Sequence, residues 1–322
     1  MTELGIAFQT DKAPAEYVRL ARLAEGAGFD VVSTYHDLFF QPAIGPLVLI
    51  AQATERVRLG PAALNVHTLH PAEIAGQIGF LDAVSRGRAY LGLVHGTWLD
   101  ELGLDGARPL TALREAVEVI RRLLRGDRGG FAGRRFSLAP GSGLRWEPPR
   151  ADVPLLIGSW GERTVAYAGE VADELKLGGT ANPDLVPVFR DRLGPGSATR
   201  IVVGSVTVVD EDGDAARALA REEVALYFPV VAPLDPTLEV PTGLVERMRG
   251  LVAAGDAAAA GALLPDDLLR RFAFAGTPEE VAAQARACLD AGAHRIDFGT
   301  PHGLTHERGV ELLARRVLPL LR

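Results

Sequence analysis

Residues 154–177 read PLLIGSWGERTVAYAGEVADELKL and contain one complete cycle of a pattern that recurs along the chain. A short apolar run, 154–157, ends in a glycine-rich turn, and a helical pattern follows over 162–171. A second apolar run, 172–177, comes directly after that helix. Apolar runs of this length on either side of an amphipathic helix predict a β-α-β unit with two parallel strands.

The same alternation extends in both directions from this unit. We predict eight strands, at 4–8, 30–34, 57–65, 89–94, 154–157, 172–177, 200–209 and 295–298. Helices are predicted from 14 to the glycines at 26 and 28, and over 46–54, 71–84, 111–124, 162–171, 183–193, 214–226, 278–291 (with Thr277 as its N-cap) and 305–320. Eight strand-helix units over about 300 residues fit a single (β/α)8 TIM barrel domain covering 1–322.

Two stretches interrupt the alternation and are predicted to be insertions. The first, about 126–150, follows the fourth strand and is rich in Gly, Pro and Arg, with a small hairpin expected around 135–138. The second, about 228–270, follows the seventh strand and is Pro-containing, then Ala-rich and helical. An open, doubly wound sheet is the alternative fold. It is less favoured because the turn after the first strand, QTDK at 9–12, has no GxGxxG motif.

Charge and cysteine content exclude several classes of protein. The chain carries 34 Lys and Arg against 41 Asp and Glu, a net charge of −7, which gives no general reason to bind nucleic acid or an anionic membrane. Cys288 is the only cysteine, so an intramolecular disulfide and a Cys-based zinc site are excluded. The N-terminus does not resemble a signal peptide, and no uncharged apolar run approaches the roughly 18 residues of a membrane span. We therefore expect a cytoplasmic protein with a small-molecule substrate.

The barrel prediction also locates the active site, which forms at the C-terminal ends of the strands in this fold. Polar and aromatic residues follow six of the predicted strands: Tyr35, His36, Asp37, Asn65, His67, His70, His95, Thr97, Trp98, Ser159, Trp160, Asn182 and His302. Together they are typical of a pocket for a flat ring with polar edges. Individually they have simpler interpretations: His70 before Pro71 can cap the third helix, and Trp98 and Trp160 can be packing residues.

Two glycine-rich turns, 158–161 and 178–180, each precede a predicted helix. Backbone N–H groups at a helix N-terminus bind anions, so these turns suit a phosphate-bearing cofactor. Such turns also occur for purely steric reasons. Lys176 and the N-cap candidate Asn182 flank the second turn, although Lys176 can instead point outward between barrel and helices.

A metal-dependent barrel hydrolase or isomerase is a rival interpretation. His302 and His306 stand four residues apart beside Glu307, and His36-Asp37 and His95 could join them in a metal site. Few carboxylates follow the strands, whereas hydrolytic metal barrels usually need several. No HExxH, DxDxDG, Walker A or GxSxG motif occurs, so we expect no metal site.

Five stretches together resemble the bacterial luciferase-like family, and most closely its coenzyme F420-dependent branch, the methylene-tetrahydromethanopterin reductase-like proteins. They are 28–37 (GFDVVSTYHD), 54–71 (TERVRLGPAALNVHTLHP), 81–96 (LDAVSRGRAYLGLVHG), 154–177 and 275–292 (AGTPEEVAAQARACLDAG). Because the match runs in the right order over essentially the whole chain, it implies a barrel that holds F420 or FMN at the C-terminal ends of its strands.

The resemblance also implies roles for individual residues. His36, Asp37 and His95 are the candidate catalytic residues, and His36-Asp37 stands in reversed order where the family has an Asp-His pair. The candidate cofactor-binding residues are Ala62 and Ala63, expected to form a non-prolyl cis peptide behind the ring, together with Asn65, Gly96, Ser159, Trp160, Gly161, Lys176, Gly178 and Gly179.

Two departures from the family pattern narrow the function. Thr97 stands where the glucose-6-phosphate dehydrogenases of this branch place a catalytic Glu, which argues against a sugar-phosphate substrate. Residues 299–302 lack the acidic and Arg-containing signature of FMN monooxygenases, which favours F420.

We predict an F420-dependent oxidoreductase that transfers a hydride between the deazaflavin and a small organic substrate. The segment 228–270 and the loop near Trp98 are expected to close over that substrate. The alternatives are an FMN-dependent luciferase-like monooxygenase and a non-catalytic flavin-binding protein. Family members are often dimers, so we expect a homodimer.

Overall fold

A parallel sheet closed around a central axis dominates the computed structural model, which describes residues 2–97 and 99–322. Trp98, expected near the cofactor, lies outside the described residues. The strands are β1 (Glu3–Phe8), β2 (Val31–Thr34), β3 (Arg58–Pro61), β4 (Leu64–Asn65), β5 (Leu91–Val94), β6 (Phe131–Ala132), β7 (Ser137–Leu138), β8 (Leu155–Gly158), β9 (Glu174–Gly178), β10 (Arg200–Val209), β11 (Ala273–Gly276) and β12 (Arg295–His302).

Strand order confirms the predicted barrel. Neighbouring strands follow the path β3-β2-β1-β12-β10-β9-β8-β5-β4, and every pair in it is parallel. The third predicted strand is divided into β3 and β4, and both halves approach β5, through a bridge from Leu59 to Ala89 and through the pairing of Leu64 with Leu93. These contacts bring the first and last strands of the path together.

Helices follow the strands and cover the outside of the barrel. They are α1 (Pro14–Ala27), α2 (Ile44–Ala53), α3 (Pro71–Ser85), α4 (Pro109–Leu124), α5 (Glu162–Val171), α6 (Leu185–Arg192), α7 (Gly213–Val231), α8 (Leu244–Ala253), α9 (Ala257–Ala262), α10 (Asp266–Phe272), α11 (Pro278–Asp290), α12 (His306–Leu312) and α13 (Leu318–Leu321). Among the described residues, no helix combines the length and the apolar character needed to cross a membrane.

Local sequence signals explain where several helices begin. Thr277 is the N-cap of α11, as predicted, and forms a capping box with Glu280. Pro residues stand in the first turns of α1, α3 and α4, where a missing N–H costs nothing because that group has no partner inside the helix.

The structure differs from the predictions chiefly around the two insertions. The hairpin in the first insertion pairs β6 with β7, so it begins four residues earlier than expected. Helix α7 continues to Val231 through Pro229, and β11, which pairs with β10, was not predicted. The final helix is interrupted by a π-helical turn, Leu313–Val317.

Side chains of β9 alternate between the two faces of the barrel wall. Leu175 and Leu177 are fully buried in the core between strands and helices, whereas Glu174 and Lys176 point toward the barrel axis, where they meet β12. Lys176 Nζ lies 2.7 Å from Asp297 Oδ2, and Arg295 Nη1 lies 2.8 Å from Glu174 Oε2. The centre of the barrel therefore holds a buried ionic layer.

Asp297 is the carboxylate that joins the cations of this layer. Its Oδ1 lies 2.9 Å from Arg295 Nε, in addition to the contact with Lys176. Burial alone would raise the pKa of Asp297, but Arg295 and Lys176 outweigh burial and hold it below its ordinary value. The carboxylate is therefore ionised although it is completely buried.

Candidate functional site

The C-terminal ends of the strands form the mouth of the barrel, and the His36-Asp37 pair lies there after β2. Asp37 Oδ2 accepts a hydrogen bond of 2.8 Å from Gln9 Nε2, which follows β1. His36 Nδ1 accepts from the backbone N–H of Ala43 at 3.4 Å, so the neutral ring carries its proton on Nε2. Burial lowers the pKa of His36, and the nearby Asp37 offsets only part of this effect.

The link between β3 and β4 shapes the next part of the mouth. The peptide bond between Ala62 and Ala63 is cis, as the resemblance implied. Gly92 on β5 packs against this link so closely that a Cβ there would lie 2.0 Å from the Pro61 carbonyl oxygen. Gly96 is equally constrained, because a Cβ there would lie 1.9 Å from Asn65 Nδ2. The two glycines let β5 approach the Pro61–Asn65 segment.

His67 and His95 form a direct pair beside Asn65. His67 Nε2 and His95 Nδ1 are 2.9 Å apart, and the rings meet edge to face with centroids 4.8 Å apart. Burial, reinforced by the neighbouring His95, lowers the pKa of His67 to about 4. Burial also lowers the pKa of His95. Both rings are therefore neutral at neutral pH.

The first glycine-rich turn leads into α5 as predicted. Ser159 Oγ accepts from the N–H of Gly161, the N-cap, at 3.1 Å. Within the described chain, the next two amides, of Glu162 and Arg163, have no acceptor. Glu162 and Arg163 also line an open cavity of about 490 Å³ between the first turns of α4 and α5, whose wall includes Arg108. This turn retains the free N–H groups that an anion site requires.

Trp160 packs within the wall of the barrel at this turn. Its ring meets Phe189 of α6 edge to face, with centroids 5.6 Å apart. Its Nε1 donates a 3.0 Å hydrogen bond to the carbonyl oxygen of Gly178. The indole therefore joins the turns after β8 and β9, which matches the packing interpretation and leaves it close to the mouth.

The second glycine-rich turn differs from the first because its amides already have partners. The N–H of Gly179 donates to the Gly204 carbonyl at 2.8 Å, and that of Ala181 donates to the Arg271 carbonyl at 2.9 Å. A phosphate bound by these amides would have to displace both bonds. Helix α6 begins only at Leu185, two residues later than predicted.

Asn182 is not the N-cap of α6, since that position belongs to Asp184. Its side chain instead connects the second turn to the second insertion. Nδ2 donates to Asp235 Oδ2 at 3.0 Å and to Thr237 Oγ1 at 2.8 Å, and Oδ1 accepts from Arg271 Nη1 at 2.5 Å. Asn182 is completely buried, so it fixes the insertion against the mouth.

Open space at the mouth is found where β8 and β9 end in glycine. A Cβ at Gly178 would meet no atom within 4 Å, and the atoms nearest to a Cβ at Gly158 would be those of Val94 and the Leu93 carbonyl, at 3.7 Å or more. The strand ends thus leave room above the ionic layer for a flat group. Asn65 and His95 provide polar groups at the neighbouring strand ends.

Lys176 lies two residues before Gly178 on β9, beneath this space. Its side chain points inward to Asp297, so the outward orientation between barrel and helices is not found. Nζ also lies 5.8 Å from the centroid of the Tyr35 ring. In this position Lys176 belongs to the ionic layer, and the structure gives it no direct contact with the second turn's amides.

Two further histidines, His302 at the end of β12 and His306 at the start of α12, lie in an enclosed setting. His302 is completely buried and follows a cis Pro301, and its Nδ1 lies 3.3 Å from His306 Nδ1. Glu307 is bound instead by Arg19 at 2.6 Å. Among the residues that the structure describes, no three His, Cys, Asp or Glu side chains are grouped as a metal site requires.

The remaining histidines have structural roles. His70 caps α3, with Nδ1 accepting from the N–H of Ala72 at 3.1 Å. His294 precedes β12, as predicted, and lies 3.1 Å from Arg200 Nη1 at the opposite end of the barrel.

Sequence reasoning missed two features of the mouth. Gln9 contacts Asp37, and its position after the first strand was the signal that could have identified it. The contact between His67 and His95 depends on side-chain direction at two neighbouring strand ends, which the sequence does not specify.

Sequence comparisons relate the chain to known proteins. The sequence profile of a family described as luciferase-like monooxygenase matches residues 2–295. The chain is 28% identical to 5,10-methylenetetrahydromethanopterin reductase of Methanopyrus kandleri over 98% of this chain and 97% of that protein. It is also 28% identical to an F420-dependent glucose-6-phosphate dehydrogenase of Nocardia farcinica, over 99% of this chain and 98% of that protein.

Solved structures agree with the sequence comparisons. The coenzyme F420 dependent tetrahydromethanopterin reductase of Methanopyrus kandleri superimposes with a TM-score of 0.89 at 25% identity, covering 100% of this chain and 99% of that one. The likeness therefore extends over the whole length of both chains.

Proposed function

Because the chain belongs to the luciferase-like monooxygenase family, we propose that it is a coenzyme F420-dependent oxidoreductase. Its reaction is hydride transfer between the deazaflavin and a small organic substrate. The observation that carries this proposal is the likeness over the whole chain to F420-dependent enzymes, with a TM-score of 0.89 to one of them. Those relatives are named for different substrates, so the cofactor is the property we transfer.

The mouth supports this cofactor assignment. Gly158 and Gly178 leave the space for the ring, while Asn65, Gly96 and the Ala62–Ala63 link line its side next to β5. The free amides after Gly161 suit the phosphate, with Ser159 and Trp160 holding that turn in place. Gly179 lines the mouth, but its N–H is already bound to another carbonyl. Lys176 contributes positive charge from the ionic layer beneath the space for the ring.

When bound, the cofactor supplies or accepts the hydride, and the protein supplies position, exclusion of water and proton management. His36, Asp37 and His95 are the groups of this chain at the mouth that can relay or hold a proton. Gln9 orients Asp37, and Ala43 orients His36. The second insertion, fixed through Asn182, and the loop after β5 would enclose the substrate.

Cofactor binding tests the proposal directly. We expect oxidised F420 to quench the fluorescence of Trp160, with a dissociation constant in the micromolar range and much weaker binding of FMN. Trp160 is a suitable reporter because Phe189 and Gly178 hold it at the mouth. The matched control is Trp160→Phe, in which the quenching contributed by Trp160 should disappear. Binding of neither cofactor would contradict the assignment.

An FMN-dependent monooxygenase is the second candidate, because the family is described by that activity. Preference for FMN in the same titration, with oxygen consumption by the reduced flavin, would support it. Binding of either cofactor without turnover of any substrate would favour a flavin-binding protein without catalysis.

We also propose that the protein is a homodimer and that it is located in the cytoplasm. A thiol such as that of Cys288 stays reduced in that compartment. Helix α2, IGPLVLIAQA, contains no charged residue although Val48 and Leu49 reach the surface. On the adjacent α3, Phe80 is 52% exposed, and Trp146, 41% exposed, lies against Gly79. An apolar surface of this kind is typical of an interface between subunits.

Phe80→Glu is therefore expected to shift the protein from dimer toward monomer, because it places a charge on that surface. Light scattering coupled to size exclusion measures the change. Leu226→Glu on α7 is the matched control, since Leu226 is similarly exposed at 50% but lies on another helix. A monomeric wild type would contradict the homodimer. If Phe80→Glu remained a dimer, the interface would have to lie on another surface of the protein.

A further inference from the structure

The His67–His95 pair restricts where each ring carries its proton. A neutral imidazole has one donor nitrogen and one acceptor nitrogen. In the 2.9 Å contact, either His67 Nε2–H donates to His95 Nδ1, or His95 Nδ1–H donates to His67 Nε2. The choice decides what the free Nε2 of His95 presents at the mouth. It is an N–H donor in the first arrangement and a bare acceptor in the second.

The surroundings of His67 select the first arrangement. His67 Nδ1 is buried, and no described residue provides a hydrogen-bond partner for it. In the second arrangement this nitrogen would carry a buried N–H without an acceptor, which proteins rarely tolerate. In the first arrangement it carries only a lone pair. The backbone N–H of His67 donates to Asn65 Oδ1 at 2.7 Å, so the segment that carries His67 is itself held in place.

We propose that His67 is a positioning residue that holds His95 in its Nε2–H form, so that His95 acts as a neutral hydrogen-bond donor to a carbonyl oxygen or imine nitrogen at the mouth. This role at the mouth rests on the proposed function, whereas the proton arrangement does not. Gly106 packs against the Cε1–Nε2 edge of His95, and a side chain at this position would cover that edge, because a Cβ would lie 3.1 Å from Cε1 and 3.2 Å from Nε2.

The charge state of the pair agrees with a donor role. The charged groups that act on the pKa of His67 are Arg135, from the first insertion, and Asp105, from the loop after β5. Burial, His95 and Arg135 together outweigh Asp105, so His67 stays neutral down to about pH 4, the value of its pKa. A neutral ring with a fixed tautomer donates the hydrogen bond of its Nε2–H without first changing its protonation state, which suits polarisation of an acceptor.

Nitrogen-15 NMR of histidine-labelled protein, without any cofactor, tests the proton arrangement. We expect His95 in the wild type to show a protonated Nε2 and an unprotonated Nδ1 near neutral pH. In His67→Phe the ring remains but the donor is lost, so His95 should become a mixture of both tautomers. His67→Gln restores an N–H donor and should restore the single tautomer. A wild-type His95 protonated on Nδ1, or an unchanged tautomer in His67→Phe, would overturn the proposal.

Kinetics test the consequence at the mouth. With reduced F420 and a substrate, kcat of His67→Phe should fall by about 10- to 100-fold with little change in KM, which is less than the loss expected for removing such a donor outright. His67→Gln should recover most of the rate. Equal losses in both variants would overturn the positioning role, because a purely structural defect would not distinguish them. Failure of the protein to bind F420 would contradict the proposed function and leave the NMR result standing.

The pH dependence of stability provides a third readout. Because the folded state favours neutral His67, the unfolded chain binds the proton first as pH falls below about 6.5. The free energy of unfolding should therefore decrease between about pH 6.5 and about 4, the folded-state pKa of His67. In His67→Gln the part of the decrease that is due to His67 should be absent. An identical pH profile of unfolding free energy in His67→Gln and the wild type would contradict a lowered pKa of His67.

Discussion

Gly178→Leu is expected to weaken binding of coenzyme F420 by about 10- to 100-fold. Gly178 ends β9 on the face that points toward the barrel axis, two residues beyond Lys176. The space above it is open, since a Cβ would meet no atom within 4 Å. A leucine would fill the room that we assign to the ring, and overpacking of this kind costs about 1–3 kcal/mol, which corresponds to the stated loss of affinity. Titration of Trp160 fluorescence measures it.

The controls separate loss of the site from loss of the fold. Because the leucine would occupy open space, the unfolding midpoint should stay close to that of the wild type. Gly26→Leu is the matched control, since a Cβ there also meets nothing within 4 Å, but on α1 outside the barrel. It should bind F420 normally. If Gly178→Leu bound F420 as tightly as the wild type, the ring would not lie over β9.

Most of the barrel could be predicted because its signals are local. The apolar run that became β10, for example, follows a glycine-containing stretch and precedes a helical pattern, and both β1 and β10 have the predicted C-terminal end. β11 escaped detection for the opposite reason. Its four residues, AFAG, directly follow a helix, and only pairing with β10 makes them a strand.

The candidate site was predictable at the level of position but not of orientation. The rule that strand ends carry the active site selected His36, Asn65 and His95 as candidates, and the structure places all three at the mouth. It did not reveal that the amide of Gly179 is already bound to Gly204, or that Lys176 points inward to Asp297. Both facts depend on tertiary neighbours that are distant in the sequence.

Asp297→Ala is expected to lower the free energy of unfolding by about 3–5 kcal/mol, because removal of one partner from a buried ion pair leaves an uncompensated charge. Here one carboxylate faces two buried cations, Lys176 at 2.7 Å and Arg295 at 2.9 Å. Denaturant titration measures the change. Most of this loss of stability should come from the lost charge and little from the lost volume. Asp297→Asn is therefore expected to be nearly as destabilising as Asp297→Ala.

Two comparisons test that explanation. Asp152→Ala breaks an ion pair of similar length, 2.6 Å to Arg125, in which both side chains are more than half exposed. It should cost less than about 1 kcal/mol, because water screens exposed charges. In the double variant Lys176→Met/Asp297→Asn one of the two buried cations is removed together with the carboxylate, so part of the stability should return. Asp297→Ala could instead lower the free energy of unfolding by no more than Asp152→Ala does. In that case the ionic layer would not be the element that fixes β9 against β12. The position of Gly178 above the layer would then depend on strand pairing alone.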